Sequence, residues 1–200
     1  MIIKSIYETS YPKMYKVQPD SGSAFFIRQD YLVKVDFENL EAGTVLSDEE
    51  AAELLDAAIA CVVELKAVEY LARCEQSRFG LTQKLIKKEF EKKYIDQALT
   101  YLEKAGYLSD LRFSRAWLHS RALNHYEGKS RLINELMSRG ISKEVSAAVV
   151  DEFFLENDEY EICRKAIEKQ KKRGKEDEKL IAALISKGFT YKMIKEILSE

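Results

Sequence analysis

Apolar residues recur along the chain at two different spacings, and the change between them divides the chain into two parts. Residues 1–46 carry short runs of aromatic and β-branched residues, such as 14–17, 24–27 and 31–35, and turn residues at 19–23 separate the first two of these. This pattern predicts a small antiparallel hairpin or meander. Two or three short strands are marginally stable in water, so we expect them to pack on the helices that follow.

At Ser47 the spacing changes to steps of three and four residues. Ser47 followed by Glu50 matches a capping box, which predicts that a long helix begins here. Both prolines lie within the first twenty residues, so most of the later chain is free to be helical. An apolar stripe is expected along this helix from about 51 to 74, formed by Leu54, Leu55, Ala58, Ile59, Val62, Leu65, Val68 and Leu71.

A block of residues with the spacing four, four and one then occurs three times. The blocks are Leu81–Leu85–Glu89–Phe90, Leu132–Leu136–Gly140–Ile141 and Leu180–Leu184–Gly188–Phe189. Each predicts a unit made of a longer helix, a short helix, a turn and a closing helix. Gly140 and Gly188 stand where the short helices end, a position that favours a left-handed residue, whereas the first unit has Glu89 there.

Polar residues beside these blocks predict where the helices begin. Ser142 and Thr190 are expected to cap the closing helices of units two and three, and Asp110 is expected to cap the long helix of unit two.

The predicted fold is therefore mainly α, with three tandem three-helix (helix-turn-helix-like) repeats preceded by a small N-terminal β-hairpin or meander. Repeats of this size bury little alone, so we expect an elongated, curved array. The predicted segments are a β extension at 1–46, a linker helix with repeat one at 47–110, repeat two at 111–158 and repeat three at 159–200.

Each motif that could indicate an enzyme lacks a residue or a spacing that the chemistry requires. Gly128-Lys129-Ser130 resembles the end of a phosphate-binding loop, but Leu123 occupies the position of its first glycine and the preceding pattern is helical. His119 and His125 are six residues apart, which does not suit a metal pair on one helix. The three cysteines form no CxxC pair. We predict no catalytic site, metal or cofactor.

Charge is distributed unevenly. The formal net charge is −2, but residues 1–66 hold six Lys/Arg against twelve Asp/Glu, whereas residues 67–200 hold twenty-six against twenty-two. Two basic runs stand out, at 111–140 and 162–175. They are interpreted either as solvated helix faces or as one stripe for an anionic partner. Their members are Arg112, Arg115, Arg121, Lys129, Arg131, Arg139, Arg164, Lys165, Lys169, Lys171, Lys172, Arg173 and Lys175.

No run of about eighteen apolar residues occurs, and the N-terminus has no signal-peptide pattern. We therefore expect a cytoplasmic protein without a membrane partner, and a monomer.

Four segments together resemble the signature of the RecX regulatory proteins. They are Ala105–Trp117, which reads AGYLSDLRFSRAW, then Ser120-Arg121, then Gly128–Leu136, which reads GKSRLINEL, and Arg139-Gly140-Ile141. Residues 76–90 are similar too, although Gly80 stands where family members usually have an acid and Glu89 where they usually have glycine. Ser114 replaces a usual alanine. The resemblance covers about 67–200 well, and residues 1–60 look like the N-terminal extension of some members.

The resemblance implies three three-helix repeats and a non-enzymatic protein that binds the RecA–DNA filament and inhibits its ATPase and strand exchange, affecting recombination, DNA repair and the SOS response. The alternatives are an autonomous helical module that binds single- or double-stranded DNA through the basic runs, and a structural scaffold with neither activity. On the first hypothesis, reversing the charges of Arg112, Arg115 and Arg121, or of Lys171, Lys172 and Arg173, is expected to weaken binding and leave the fold intact.

Overall fold

The computed structural model describes residues 1–123 and 125–199, and it confirms a mainly helical protein with a small N-terminal antiparallel sheet. The strands are β1 Ile3–Glu8, β2 Met14–Pro19 and β3 Phe25–Arg28. The helices are α1 Asp48–Leu71, α2 Arg78–Ile86, α3 Lys92–Lys104, α4 Asp110–Ala122, α5 Lys129–Met137, α6 Lys143–Glu156, α7 Glu159–Lys171, α8 Asp177–Ser186 and α9 Tyr191–Ser199. Short 3-10 turns cover Gln29–Tyr31 and Phe37–Asn39.

The sheet has the strand order β1-β2-β3, with β2 in the centre. Both pairs are antiparallel, with Tyr7 opposite Lys16 and Tyr15 opposite Ile27. Ile3, Val17 and Ile27 are completely buried in one core with α1 and α3. The sheet thus packs on the helices that follow it, as its small size requires.

Helix α1 begins with the predicted capping box, in which Ser47 and Glu50 bond each other's backbone N–H groups. The face that α1 buries differs from the predicted stripe. Small residues, including Ala57, Ala60 and Ala67, face the core, and Leu55 and several other large residues of the stripe are exposed. Small side chains allow β3 and α3 to approach the helix closely, and a pattern of apolar spacing does not reveal this preference.

A buried ion pair joins the sheet to α1. Arg28 Nε donates to Glu64 Oε2 at 2.7 Å, and the Tyr31 hydroxyl donates to the same oxygen at 2.7 Å. The Arg28 guanidinium lies 4.0 Å from the centre of the Tyr101 ring. Burial is the main cause of a raised pKa at the Tyr31 hydroxyl. These contacts satisfy a charge pair that would otherwise be costly inside the protein.

The leucine blocks form the short helices, as predicted. Gly140 and Gly188 end α5 and α8 with φ of 83° and 93°. Glu89 follows α2 with φ of 65°, so it adopts the left-handed conformation without being glycine. Separate clusters of buried residues form around Leu136 in α4–α6 and around Leu184 in α7–α9. Phe113 and Trp117 are half-buried against the first of these clusters.

The helix starts confirm two of the three predicted caps. Ser142 Oγ accepts from Val145 N, and Thr190 Oγ1 accepts from Met193 N at 3.2 Å. The predicted role of Asp110 is wrong, because Ser109 caps α4.

Asp110 instead accepts a hydrogen bond at the start of helix α2, which lies earlier in the chain. Its Oδ1 accepts from Arg78 N at 2.7 Å, at the first residue of α2. Both Ser109 and Asp110 have capping side chains, so the sequence alone could not separate them.

By internal contacts the chain divides into two compact units. One contains Met1–Cys74 with Leu81–Leu108, and the other contains Glu75–Gly80 with the chain from Ser109 onward. The division into four segments by the sequence repeats stays a prediction.

Candidate functional site

The basic residues predicted as a binding stripe fall into two groups that differ in their partners. In the first group, each cation lies within ion-pair distance of a carboxylate. The pairs are Arg112–Glu75, Arg115–Glu152, Arg121–Glu127, Lys129–Asp151, Arg131–Glu135, Arg139–Glu135 and Arg164–Glu161. Six of these seven basic residues belong to the run at 111–140. The charge of that run is therefore largely balanced within the protein.

The Trp117 ring contacts the guanidinium groups of two of these paired arginines. The guanidinium carbons of Arg121 and Arg139 lie 5.0 Å and 4.6 Å from the centre of its ring. Arg121 Nε donates to Glu127 Oε2 at 2.6 Å, and this hydrogen bond is the main cause of a raised Arg121 pKa. The bond from Arg139 is the main cause of a lowered Glu135 pKa. Both arginines are thus held by a ring and an acid, which favours a structural role for them.

The second group lies along α7 and just beyond its C-terminal end. Within residues 1–123 and 125–199, five of its cations form no ion pair. They are Lys165, Lys171, Lys172, Arg173 and Lys175. Lys169 lies among them, with its ammonium 5.3 Å from the centre of the Tyr126 ring. We call these six residues, together with Lys187, the α7 basic cluster.

Lys187 belongs to this cluster although it lies outside the basic run in the sequence. Its Nζ donates to the backbone oxygen of Tyr126 at 3.2 Å. Burial is the main cause of its lowered pKa, and the charges of Lys169, Arg173 and Arg121 lower the pKa further, while Glu127 opposes them. Lys187 therefore lies close enough to Lys169 and Arg173 for their charges to act on it.

A close backbone contact fixes Lys187 beside the start of α5. Gly128 N donates to Lys187 O at 2.9 Å, and Ser130 Oγ donates to Gly188 O at 2.9 Å. A Cβ on Gly128 would lie 2.5 Å from Gly188 O, so only glycine fits there. The motif Gly128-Lys129-Ser130 is thus a joint between repeats two and three, which explains its glycine without a bound nucleotide.

Other kinds of site find less support in the described part of the chain. There, no group of three or more His, Cys, Asp and Glu side chains is arranged to hold a metal ion. His119 and His125 are both exposed. Within the same residues, every helix is too short or too polar to span a membrane.

Comparisons with known proteins place this geometry in a family. Residues 65–102 match the first RecX three-helix domain, and residues 109–150 match the second. A "Regulatory protein RecX" from Treponema pallidum (strain Nichols) is 32% identical over 157 residues, which cover 78% of this chain and 96% of that protein. The chain belongs to the RecX family of regulatory proteins. A RecX protein of Listeria monocytogenes (strain F2365) is 27% identical over 185 residues, covering 88% of this chain and 69% of that protein.

Solved structures agree on the fold. A crystal structure of regulatory protein RecX aligns with a TM-score of 0.78 at 18% identity, covering all of this chain and 99% of that one. The RecX structure from Lactobacillus salivarius has a TM-score of 0.60 at 19% identity, covering 70% of this chain and 95% of that one. The second matched RecX domain ends at residue 150, so the α7 basic cluster lies beyond both matched domains.

Proposed function

We propose that this RecX-family protein is a non-enzymatic, cytoplasmic regulator that binds the RecA–DNA filament and inhibits its ATPase and strand exchange. Recombination, DNA repair and the SOS response would be affected accordingly. The family name supports a regulatory role. The observation that supports the choice of surface is the α7 basic cluster, in which Lys165, Lys171, Lys172, Arg173 and Lys175 form no ion pair within the described residues.

An unpaired cation can exchange water for a phosphate or carboxylate at little cost to the fold. A paired cation must first break an internal contact, so less of its interaction energy is gained on binding. We therefore assign the main contact with the filament to the α7 basic cluster and a supporting role to the arginines of repeat two. Binding across neighbouring RecA subunits would then hinder the conformational cycle that ATP hydrolysis drives.

The test is RecA ATP hydrolysis on single-stranded DNA, titrated with the wild type and a variant that carries Lys171→Glu, Lys172→Glu and Arg173→Glu. We expect the wild type to inhibit and the variant to need at least about tenfold more protein for the same inhibition. An unchanged ATPase rate with excess wild-type protein would contradict the proposed function.

A matched control makes the same change of charge elsewhere. Lys87, Lys88 and Lys92 are exposed, and none of them forms an ion pair within the described residues. Reversing all three to Glu should leave inhibition close to that of the wild type. Equal losses in both variants would show that net charge matters and the α7 basic cluster does not.

An autonomous DNA-binding module is the second candidate, because phosphates also suit concentrated positive charge. It predicts DNA affinity without RecA that falls steeply with salt, with a slope of about 0.9 per neutralised phosphate on double-stranded DNA. Filter binding or fluorescence anisotropy over a salt series measures this slope. Negligible affinity in physiological salt, with inhibition of RecA retained, would reject this candidate.

A further inference from the structure

One face of α1 exposes large apolar side chains. Leu55, Ile59 and Val62 follow each other at steps of four and three residues, and their exposed fractions are 46%, 41% and 53%. With residues 24–26 at the edge strand β3, including the 42% exposed Phe26, they line an apolar groove of about 510 Å³. A continuous apolar surface of this kind typically marks a place where another molecule binds.

The orientation of α1 makes this exposure informative. The helix turns Ala57, Ala60, Cys61 and Ala67 towards its own core and leaves the larger side chains outside. Burying the larger side chains would stabilise the unit more, by roughly 25 cal/mol for each Å² of apolar surface removed from water. The arrangement therefore favours a second apolar surface that covers the outer face.

Charges at the two ends of this face indicate what covers it. Asp48 lies seven residues before Leu55, which is about two helical turns, and it is exposed at the N-terminal end. Lys66 lies four residues after Val62, and the exposed Arg73 lies seven residues further, just past the helix.

The positive end has contacts of its own: the Lys66 ammonium lies 5.9 Å from the centre of the Tyr70 ring, and the charge of Arg73 acts on Glu69. Lys66 pairs with Glu69 on the same helix, with both side chains at least one-third exposed. Such a contact contributes little to stability and is readily exchanged for another. The face is thus acidic at its start, apolar in its middle and net basic at its end.

We propose that this face is a two-fold interface between two copies of the chain, with the α1 helices antiparallel and Ile59 close to the axis. This arrangement superimposes the two apolar centres and brings the Asp48 end of each helix to the Lys66–Arg73 end of the other. A parallel arrangement would bring like charges together. A two-fold axis needs a self-complementary surface, and this charge pattern provides one.

The pairing differs from the monomer expected from the sequence. One helix face with the neighbouring Phe26 is small beside the roughly 1,200–2,000 Å² that stable interfaces bury. We therefore expect a dissociation constant in the micromolar range. The interface is independent of the proposed function, because it uses no residue of the α7 basic cluster.

Sedimentation equilibrium of the full chain is the first test. The wild type should show an average mass that rises with concentration towards twice the 23.1 kDa of one chain. Ile59→Lys should weaken this association at least about tenfold. Leu155→Lys is the matched control, because Leu155 is exposed on α6 and should not affect it. A wild type that stays monomeric would overturn the proposal and leave the face to a different protein.

Two further variants test the geometry of the pairing. In a Cys74→Ser background, in which the remaining cysteines are buried, Ile59→Cys should be joined to a second copy by a short bis-maleimide and Leu155→Cys should not. Lys66→Glu should weaken the dimer, and adding Asp48→Lys should restore it. A dimer that Lys66→Glu leaves unchanged, or that Asp48→Lys fails to restore, would contradict the antiparallel arrangement. Circular dichroism checks that every variant is folded.

Discussion

Repeats two and three have the same helical plan but treat their positive charges differently. In repeat two, carboxylates pair with all six basic residues of the run at 111–140. In repeat three, five of the seven basic residues at 162–175 form no ion pair within the described residues. The number of cations in a run therefore does not measure the charge that a partner can use. The carboxylates beside each cation decide it, whether they lie on the same helix, as Glu135 does for Arg131, or on another, as Glu152 does for Arg115.

The largest loss of unfolding free energy is expected from substitutions in the cores. The loss should be similar in the two repeats. Leu136 and Leu184 are both completely buried. Replacing either by Ala should lower the free energy of unfolding by about 2 to 5 kcal/mol, because a cavity remains. Urea unfolding followed by circular dichroism measures this loss. A loss below about 1 kcal/mol in one repeat only would show that the cores are not equivalent.

The next largest loss of stability is expected at the joint between the repeats, where Gly128 and Gly188 meet. Gly188→Ala should cost about 2 to 4 kcal/mol, since φ is 93° and a Cβ would lie 2.5 Å from Arg131 N. Gly174→Ala is the control, because its φ is 75° but a Cβ added there would have no neighbouring atom within 4 Å. It should cost only about 1 to 2 kcal/mol. Equal costs in thermal unfolding would mean that the close contact at the joint does not constrain the repeats.

A smaller effect should separate the paired from the unpaired cations. Arg121→Ala leaves Glu127, which is 8% exposed at its side chain, without its main partner. We expect a loss of about 1 to 3 kcal/mol in unfolding free energy. Lys172→Ala should change it by less than about 1 kcal/mol, because that side chain is exposed at a helix end. Similar losses would contradict the division into two groups.

The smallest effect concerns repeat one, whose short helix ends differently from the other two. Glu89→Gly should stabilise the protein by about 1 kcal/mol, because Glu89 has φ of 65° and glycine adopts this conformation without strain. Differential scanning calorimetry should show a higher melting temperature. A lower melting temperature would indicate that the Glu89 side chain contributes more than the backbone strain costs.

Local patterns predicted the fold well because they depend on neighbours in the sequence. The spacing of Leu132 and Leu136 located α5, Gly140 located its end, and Ser47 with Glu50 located the start of α1. The exposed face of α1 was not predictable, since its orientation depends on the close approach of β3 and on the buried Arg28–Glu64 pair.

The candidate site was predictable only in part. The run at 162–175 indicated a basic surface, but the pairing of Arg115 with Glu152 or of Lys129 with Asp151 depends on how α6 packs on its neighbours. Lys187 was missed because it lies twelve residues beyond Lys175, and only the joint at Gly188 brings it to Tyr126. No local signal in the sequence points to it.

The most direct test of the central claim is the affinity of assembled RecA filaments on single-stranded DNA for two neutralised variants. One carries Lys171→Gln, Lys172→Gln and Arg173→Gln, and the other carries Arg112→Gln, Arg115→Gln and Arg131→Gln. The unpaired group should lose at least about tenfold in affinity and the paired group less than about threefold. Equal losses, or a larger loss in the paired group, would contradict the claim that the α7 basic cluster makes the main contact.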